Sequence, residues 1–216
     1  DLKKEHGVNA IGVACDVSDK KAVTGMVAKV CDALGGINVL HNNAASKTDN
    51  PADYFAPFED FDIDAWRQVM AVNIDGMFLV AQAVGKQMGA QGTGGSIIQT
   101  ASTYGVVGPD FSIYEGSEYL GFQITTPAAY SASKFAVLGL TQASAMDLAK
   151  HQITVNAVCP GPINTDRLSY WEQDRAQQQG VSLEEFRGQI VETAGQNTPM
   201  GRIAEPISSR SVRAAR

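Results

Sequence analysis

Tyr130 and Lys134 stand four positions apart in Tyr130-Ser131-Ala132-Ser133-Lys134. On one helix that spacing puts both side chains on the same face. A phenol is a poor base at neutral pH. An ammonium nearby favours the ionised phenol and makes it able to exchange a proton with an alcohol or carbonyl oxygen. A surface Tyr and Lys on a helix is the plain alternative. Ser102 closes the apolar run Gly95-Ser96-Ile97-Ile98-Gln99-Thr100-Ala101-Ser102. A hydroxyl at the carboxyl end of a parallel strand lies where open α/β sheets hold their ligands, unless it only caps a turn. Asn73 sits mid-helix in Met70-Ala71-Val72-Asn73-Ile74-Asp75-Gly76. A buried amide there must bind backbone or order a water.

Three further segments end strands. His41-Asn42-Asn43-Ala44-Ala45 offers small residues that let a flat ligand come close to the backbone. Asp16-Val17 offers a carboxylate for an adenine amine, or a helix cap. Pro160-Gly161-Pro162-Ile163-Asn164-Thr165 is a stiff loop with free amides and a hydroxyl, suited to an amide or phosphate group, or a plain turn.

The elements that must position these groups alternate between strand and helix, the pattern of a parallel sheet with crossover helices. Strands are expected at 8–15, 37–41, 96–100 and 153–158, and helices at 19–34, 64–88 and 127–150. Gly35-Gly36 stops the first helix, and Thr125 or Thr126 caps the last, with Pro127 in its first turn. Residues 166–200, charged and Gln-rich with a few large apolar residues, read as a helical lid over a site. The whole of 1–216 reads as one domain.

Taken together, in order and context from Asp16 to Glu205, these pieces resemble the short-chain dehydrogenase/reductase family. The resemblance implies a Rossmann-like α/β fold, a doubly wound parallel sheet, and hydride transfer between a secondary alcohol or ketone and NAD or NADP. It implies Tyr130 as general acid/base, and Lys134 on the nicotinamide ribose while lowering the tyrosine's pKa. Ser102 would orient the substrate oxygen, and Asn73 would anchor a water in the proton relay. Asp16 and Val17 would lie at the adenine, Asn42 and Ala44 by the adenosine ribose and sheet. Ile163 and Thr165, in the loop opened by Pro160 and Gly161, would lie near the carboxamide and diphosphate.

Some features depart from the family pattern. The chain starts at what resembles the helix after the family's second strand, so the first two strands and their glycine-rich turn are not in it. The expected sheet is therefore incomplete, lacking the last strand too. A chain of these residues alone is expected to fold poorly and bind nucleotide weakly. Residues 207–216 read Ile-Ser-Ser-Arg-Ser-Val-Arg-Ala-Ala-Arg, an atypical tail. Ala45 stands where the family usually has Gly, and Ala101 replaces the first of two frequent serines. Ser102 and Tyr130 are separated by an aromatic and acidic insert, 108–121. It resembles insertions of members serving bacterial surface-sugar or flagellin-glycan pathways, which implies a sugar-like substrate; a loop packed on a neighbouring subunit is the alternative.

The net charge of -6 argues against a nucleic-acid partner, which would need clustered Lys and Arg. Three scattered cysteines fit a reducing cytoplasm, no metal-like spacing is present, and no run reads as long enough to span a membrane. The helices of Asn73 and Tyr130 are apolar over more than one face. In the resembled family such surfaces pair, implying a homodimer or homotetramer of the complete protein. The expected partner is a small alcohol or carbonyl compound. A truncated, non-catalytic relative serving as a binding or assembly module is the alternative reading. A hydrolase built on Ser102 is disfavoured, because His6, His41 and His151 are not placed as its base.

Overall fold

The computed structural model describes residues 2–116, 118–161, 163, 166–197 and 204. They form two compact units: 1–111 with 125–159, and 112–124 with 160–216.

In the first unit, helix α1 (Leu2–His6) leads to an extended segment and then to α2 (Lys20–Leu34). Asp19 caps α2 by accepting from the amides of Lys21 and Ala22, and Gly35, with φ of 84°, ends it as expected. Strand β1 (Val39–Asn42) follows, then the short α3 (Pro51–Tyr54) and α4 (Ile63–Met70), whose cap is Asp62. A π-helical turn, Ala71–Gly76, joins α4 to α5 (Met77–Gln91). Strand β2 (Gly95–Thr100) comes next.

The second unit receives its first piece here, a hairpin of β3 (Glu118–Tyr119) and β4 (Phe122–Gln123). The chain returns to the first unit for α6 (Ala128–Leu148) and β5 (Ile153–Val158). Helices α7 (Asp166–Gln179) and α8 (Leu183–Asn197) complete the described part of the second unit.

The sheet of the first unit is parallel, in the order β1-β2-β5. Strands that pair in parallel need crossovers, and α5 and α6 supply them. This is the Rossmann-like α/β arrangement expected. Its core is apolar: Val23 and Val27 of α2, Val80, Val84 and Met88 of α5, and Ile97, Ile153 and Val155 of the strands. Alternate residues of β2 point to opposite faces, and those of the buried set are Ile97 and Gln99.

Three expectations need correction. Residues 8–15 are extended but form no strand, and Val8 and Ile11 are 49% and 40% exposed. An apolar run becomes a strand only by pairing, and among the described residues no strand pairs with it. The cap of α6 is Pro127, not Thr125 or Thr126. Its extended ψ of 152° starts the helix, and its carbonyl accepts from the amides of Tyr130 and Ser131. Finally, the helical run Ile63–Gln91 is long and apolar enough, by length and composition alone, to cross a membrane. Val69, Met77, Val84 and Met88 of that run are instead buried within the first unit, as a core helix requires.

Candidate active site

Lys134 is buried on α6 within the first unit. Only 4% of it is exposed, and its Nζ donates to the carbonyl of Thr100 at 2.9 Å. The same ammonium stands 5.8 Å from the centre of the Tyr130 ring. Helical spacing therefore does bring the two groups together. Burial pushes the Lys134 pKa below its ordinary value of 10.5, because an ion loses solvation in the interior. Among the described residues no carboxylate pairs with it. An unpaired buried ammonium is expensive to keep, which is characteristic of a working site.

Ser102 follows β2 directly and is 7% exposed. Its Oγ accepts from the amide of Tyr104 at 3.2 Å. That contact occupies a lone pair and leaves the hydroxyl proton to be donated elsewhere. The turn after Ser102 is pressed onto α6. A Cβ at Gly105 would lie 2.6 Å from the carbonyl oxygen of Lys134. Gly105 thus permits a backbone approach that no other residue would allow, and it brings the serine's turn to the helix of Tyr130 and Lys134.

Asn73 is fully buried in the π-helical turn. Its Oδ1 accepts from the amide of Ser46 at 2.7 Å, whereas its Nδ2 is buried without a partner. A π turn inside a helix often marks a functional site. Here it tethers the loop after β1 through Ser46 and leaves one buried amide donor unengaged.

Asn42 is buried, and its Nδ2 donates to the carbonyl of Met77 at 2.8 Å and to Gln99 Oε1 at 2.9 Å. Its amide group braces β1 against β2 and α5. Ala44 is exposed just beyond β1. Asp16 is exposed, and its carboxylate accepts from the amide and hydroxyl of Ser18, which together hold its pKa below 3.8. Val17 packs partly on the core, so close to Gly76 that a Cβ there would meet its Cγ2 at 2.7 Å. Pro160, Gly161 and Ile163 belong to the second unit, where Ile163 bridges Ala204. Thr165 lies outside the described residues.

Sequence reasoning missed four contributors: Thr100, whose carbonyl holds Lys134; Gln99, which meets Asn42; Ser46, which binds Asn73; and Gly105. Only Gln99 carried a signal, as a polar residue inside an apolar strand. Thr100 and Ser46 act through their backbone and leave no mark on side-chain type, and Gly105, though its role demands glycine, reads in sequence like any turn glycine.

The chain as a whole matches a known group of proteins. A sequence model described as short chain dehydrogenase matches residues 1–176. The chain belongs to the short-chain dehydrogenase family. The uncharacterized oxidoreductase YohF of Escherichia coli is 38% identical over 160 residues, covering 74% of this chain and 55% of that protein. The 2,5-dichloro-2,5-cyclohexadiene-1,4-diol dehydrogenase of Sphingobium indicum is 33% identical over 200 residues, covering 93% of this chain and 67% of that one. Among solved structures, an NAD+-bound xylitol dehydrogenase is similar with a TM-score of 0.68 and 32% identity, over 94% of this chain and 70% of that one. This short-chain dehydrogenase chain thus spans between 55% and 67% of the length of the two curated relatives named.

Proposed function

We propose that this short-chain dehydrogenase chain carries the proton-transfer half of an NAD- or NADP-dependent oxidoreductase acting on a secondary alcohol or ketone. The observation that carries the reading is the buried ammonium of Lys134, held at Thr100 beneath the Tyr130 ring. The relatives support it: the xylitol dehydrogenase is NAD+-bound, and another similar structure is described as bound to NADP.

The residues present fit the nicotinamide end of such a cofactor. An ammonium has three donors, and Thr100 takes one, which leaves two for ribose hydroxyls. The bound nicotinamide would supply the hydride chemistry. Tyr130 exchanges a proton with the substrate oxygen, and the ammonium of Lys134 favours its ionised state. Ser102, with its oxygen engaged by Tyr104, donates its proton to the same substrate oxygen and orients it. Asn73 holds a water through the Nδ2 that has no protein partner. When such a cofactor is bound, Pro160, Gly161, Ile163 and Thr165 would serve the carboxamide and diphosphate, Asp16 and Val17 the adenine, and Asn42 and Ala44 the adenosine ribose.

The complete protein acts as a homodimer or homotetramer in this reading, supported by Phe78 of α5 and Phe135 and Met146 of α6, which are 45%, 47% and 81% exposed. Free Cys15, Cys31 and Cys159 support a reducing, cytoplasmic setting. The test is oxidation of secondary alcohols by the complete protein with NAD and with NADP. Tyr130→Phe should abolish turnover while leaving cofactor affinity nearly unchanged. Full turnover by that variant would remove Tyr130 as the acid/base.

A further inference from the structure

A cavity of about 410 Å3 opens in the first unit at the amino-terminal end of α6. Phe58, Phe61 and Phe111 wall it, together with Pro57, Pro109 and Pro127. Ala128 and Ser131 face it from the helix that carries Tyr130, and among the described residues no charged one lines it. Its volume suits a small molecule rather than a protein segment, since ligand pockets run from about 300 to 1,000 Å3. Phe61 of its wall also packs against a buried cluster of Tyr54, Val69 and Ala129, as does Trp66. At the rim, Phe58 is 81% and Phe111 55% exposed, rings that a bound apolar group would remove from water.

We propose that this cavity receives the apolar ring or short carbon chain of the alcohol or ketone substrate. The inference rests on the oxidoreductase reading above and narrows its substrate class. Pro127, Ala128 and Ser131 flank Tyr130 within one helical turn, a rise of about 5.4 Å. A compact molecule whose oxygen meets the tyrosine hydroxyl therefore has its body within reach of the cavity. A polyol fits the lining poorly, because hydroxyls set against phenyl and prolyl walls lose water without gaining partners. The few hydroxyls present, on Thr125, Thr126 and Ser131, are enough to orient a single polar group. The lining thus favours an apolar, alicyclic substrate over the sugar-like one that the 108–121 insert implied.

The test pairs two probes with the same six-membered ring, cyclohexanol and myo-inositol, on the complete protein. Ligand-observed NMR should show saturable binding of cyclohexanol and none of myo-inositol. Ala128→Trp fills the cavity and Phe58→Asp places a charge at its rim. Each should weaken cyclohexanol binding about tenfold or more, and lower the preference for cyclohexanol over 2-propanol in kcat/KM. Phe58 is exposed, so its variant carries the test if Ala128→Trp fails to fold. Cyclohexanol binding that both variants abolish, without any turnover by wild type, would uphold the cavity and sink the oxidoreductase reading. Turnover of cyclohexanol with unchanged KM in both variants would overturn the cavity and leave that reading standing. Preferred binding of myo-inositol, or a fall in molecular mass of Phe58→Asp by light scattering with no cyclohexanol binding to wild type, would overturn it too. The latter result would assign the cavity to a second copy of the chain.

Discussion

Replacing Lys134 by Met should destroy function while leaving the fold almost as stable as before. The two side chains are similar in length and volume, so little cavity forms, and such swaps cost less than about 1.5 kcal/mol. Loss of the 2.9 Å bond to the Thr100 carbonyl removes a charge-assisted hydrogen bond, worth about 1.5–3 kcal/mol. Against these stands the relief of burying an unpaired ion, effectively several kcal/mol. The opposing effects are of similar size, so the net change should stay within about 2 kcal/mol. For a chain of this length that is a Tm shift of no more than about 8 °C. Activity, by contrast, should fall by about 10²- to 10⁴-fold, the usual contribution of acid–base catalysis.

Denaturant titrations as a function of pH sharpen the comparison. Burial holds the folded pKa of Lys134 below 10.5, so at neutral pH the folded state bears the burden of the charged form. Between the folded pKa and 10.5 the unfolded chain holds a proton that the folded chain has released. Unfolding then takes up protons, and stability rises with pH across that window. Wild type should show this rise and Lys134→Met should lack it. A variant that loses more than about 4 kcal/mol at pH 7, or whose stability tracks wild type throughout the alkaline range, would refute the assignment of Lys134 as a functional rather than a structural ion.

Other expectations can be checked alongside. Ser102→Ala in the complete protein should lower kcat about 10²-fold or more, as loss of one oxygen-directed donor does, with little change in melting temperature. Gly105→Ala sets a methyl 2.6 Å from the Lys134 carbonyl and should cost about 1–3 kcal/mol by chemical denaturation. Asp19→Ala removes the cap of α2 and should cost about 1 kcal/mol without altering kcat. Leu120 adopts a φ of 53° in the two-residue turn between β3 and β4, ahead of Gly121 at 78°. Leu120→Asn should therefore stabilise the hairpin by several tenths of a kcal/mol, read as reduced amide exchange.

Side-chain chemistry was the most legible layer of this chain. The four-residue step from Tyr130 to Lys134 translated directly into neighbouring groups, because helical geometry is fixed by sequence distance. Alternation of apolar runs and amphipathic stretches located β1, β2, β5, α2 and α6 to within a few residues for the same reason. Burial of Asn73 followed from its apolar surroundings, but the π turn that holds it did not, since one extra residue in a helical turn changes no periodicity that a short window can detect. The extended segment at 8–15 misled because hydrophobicity reports a wish for burial and not the presence of a strand beside it. The 108–121 insert offered aromatics and acids as its visible signal, whereas Leu120-Gly121 is a poor turn pair by composition and hid the hairpin. The apolar cavity was invisible for a different reason: its walls come from the 56–61, 109–111 and 125–131 segments, which only tertiary structure assembles.

Within the second unit, Arg175 and Gln178 of α7 bind the insert through the carbonyls of Glu115 and Gly116. A carbonyl presents the same acceptor whichever residue bears it. The clasp is therefore indifferent to the side chain at Glu115, whereas Gly116, at φ of 69° and with Gln178 Oε1 3.3 Å from where a Cβ would stand, is held to glycine. Mutation can rewrite the hairpin's side chains, and with them its surface chemistry, while its anchorage to α7 persists.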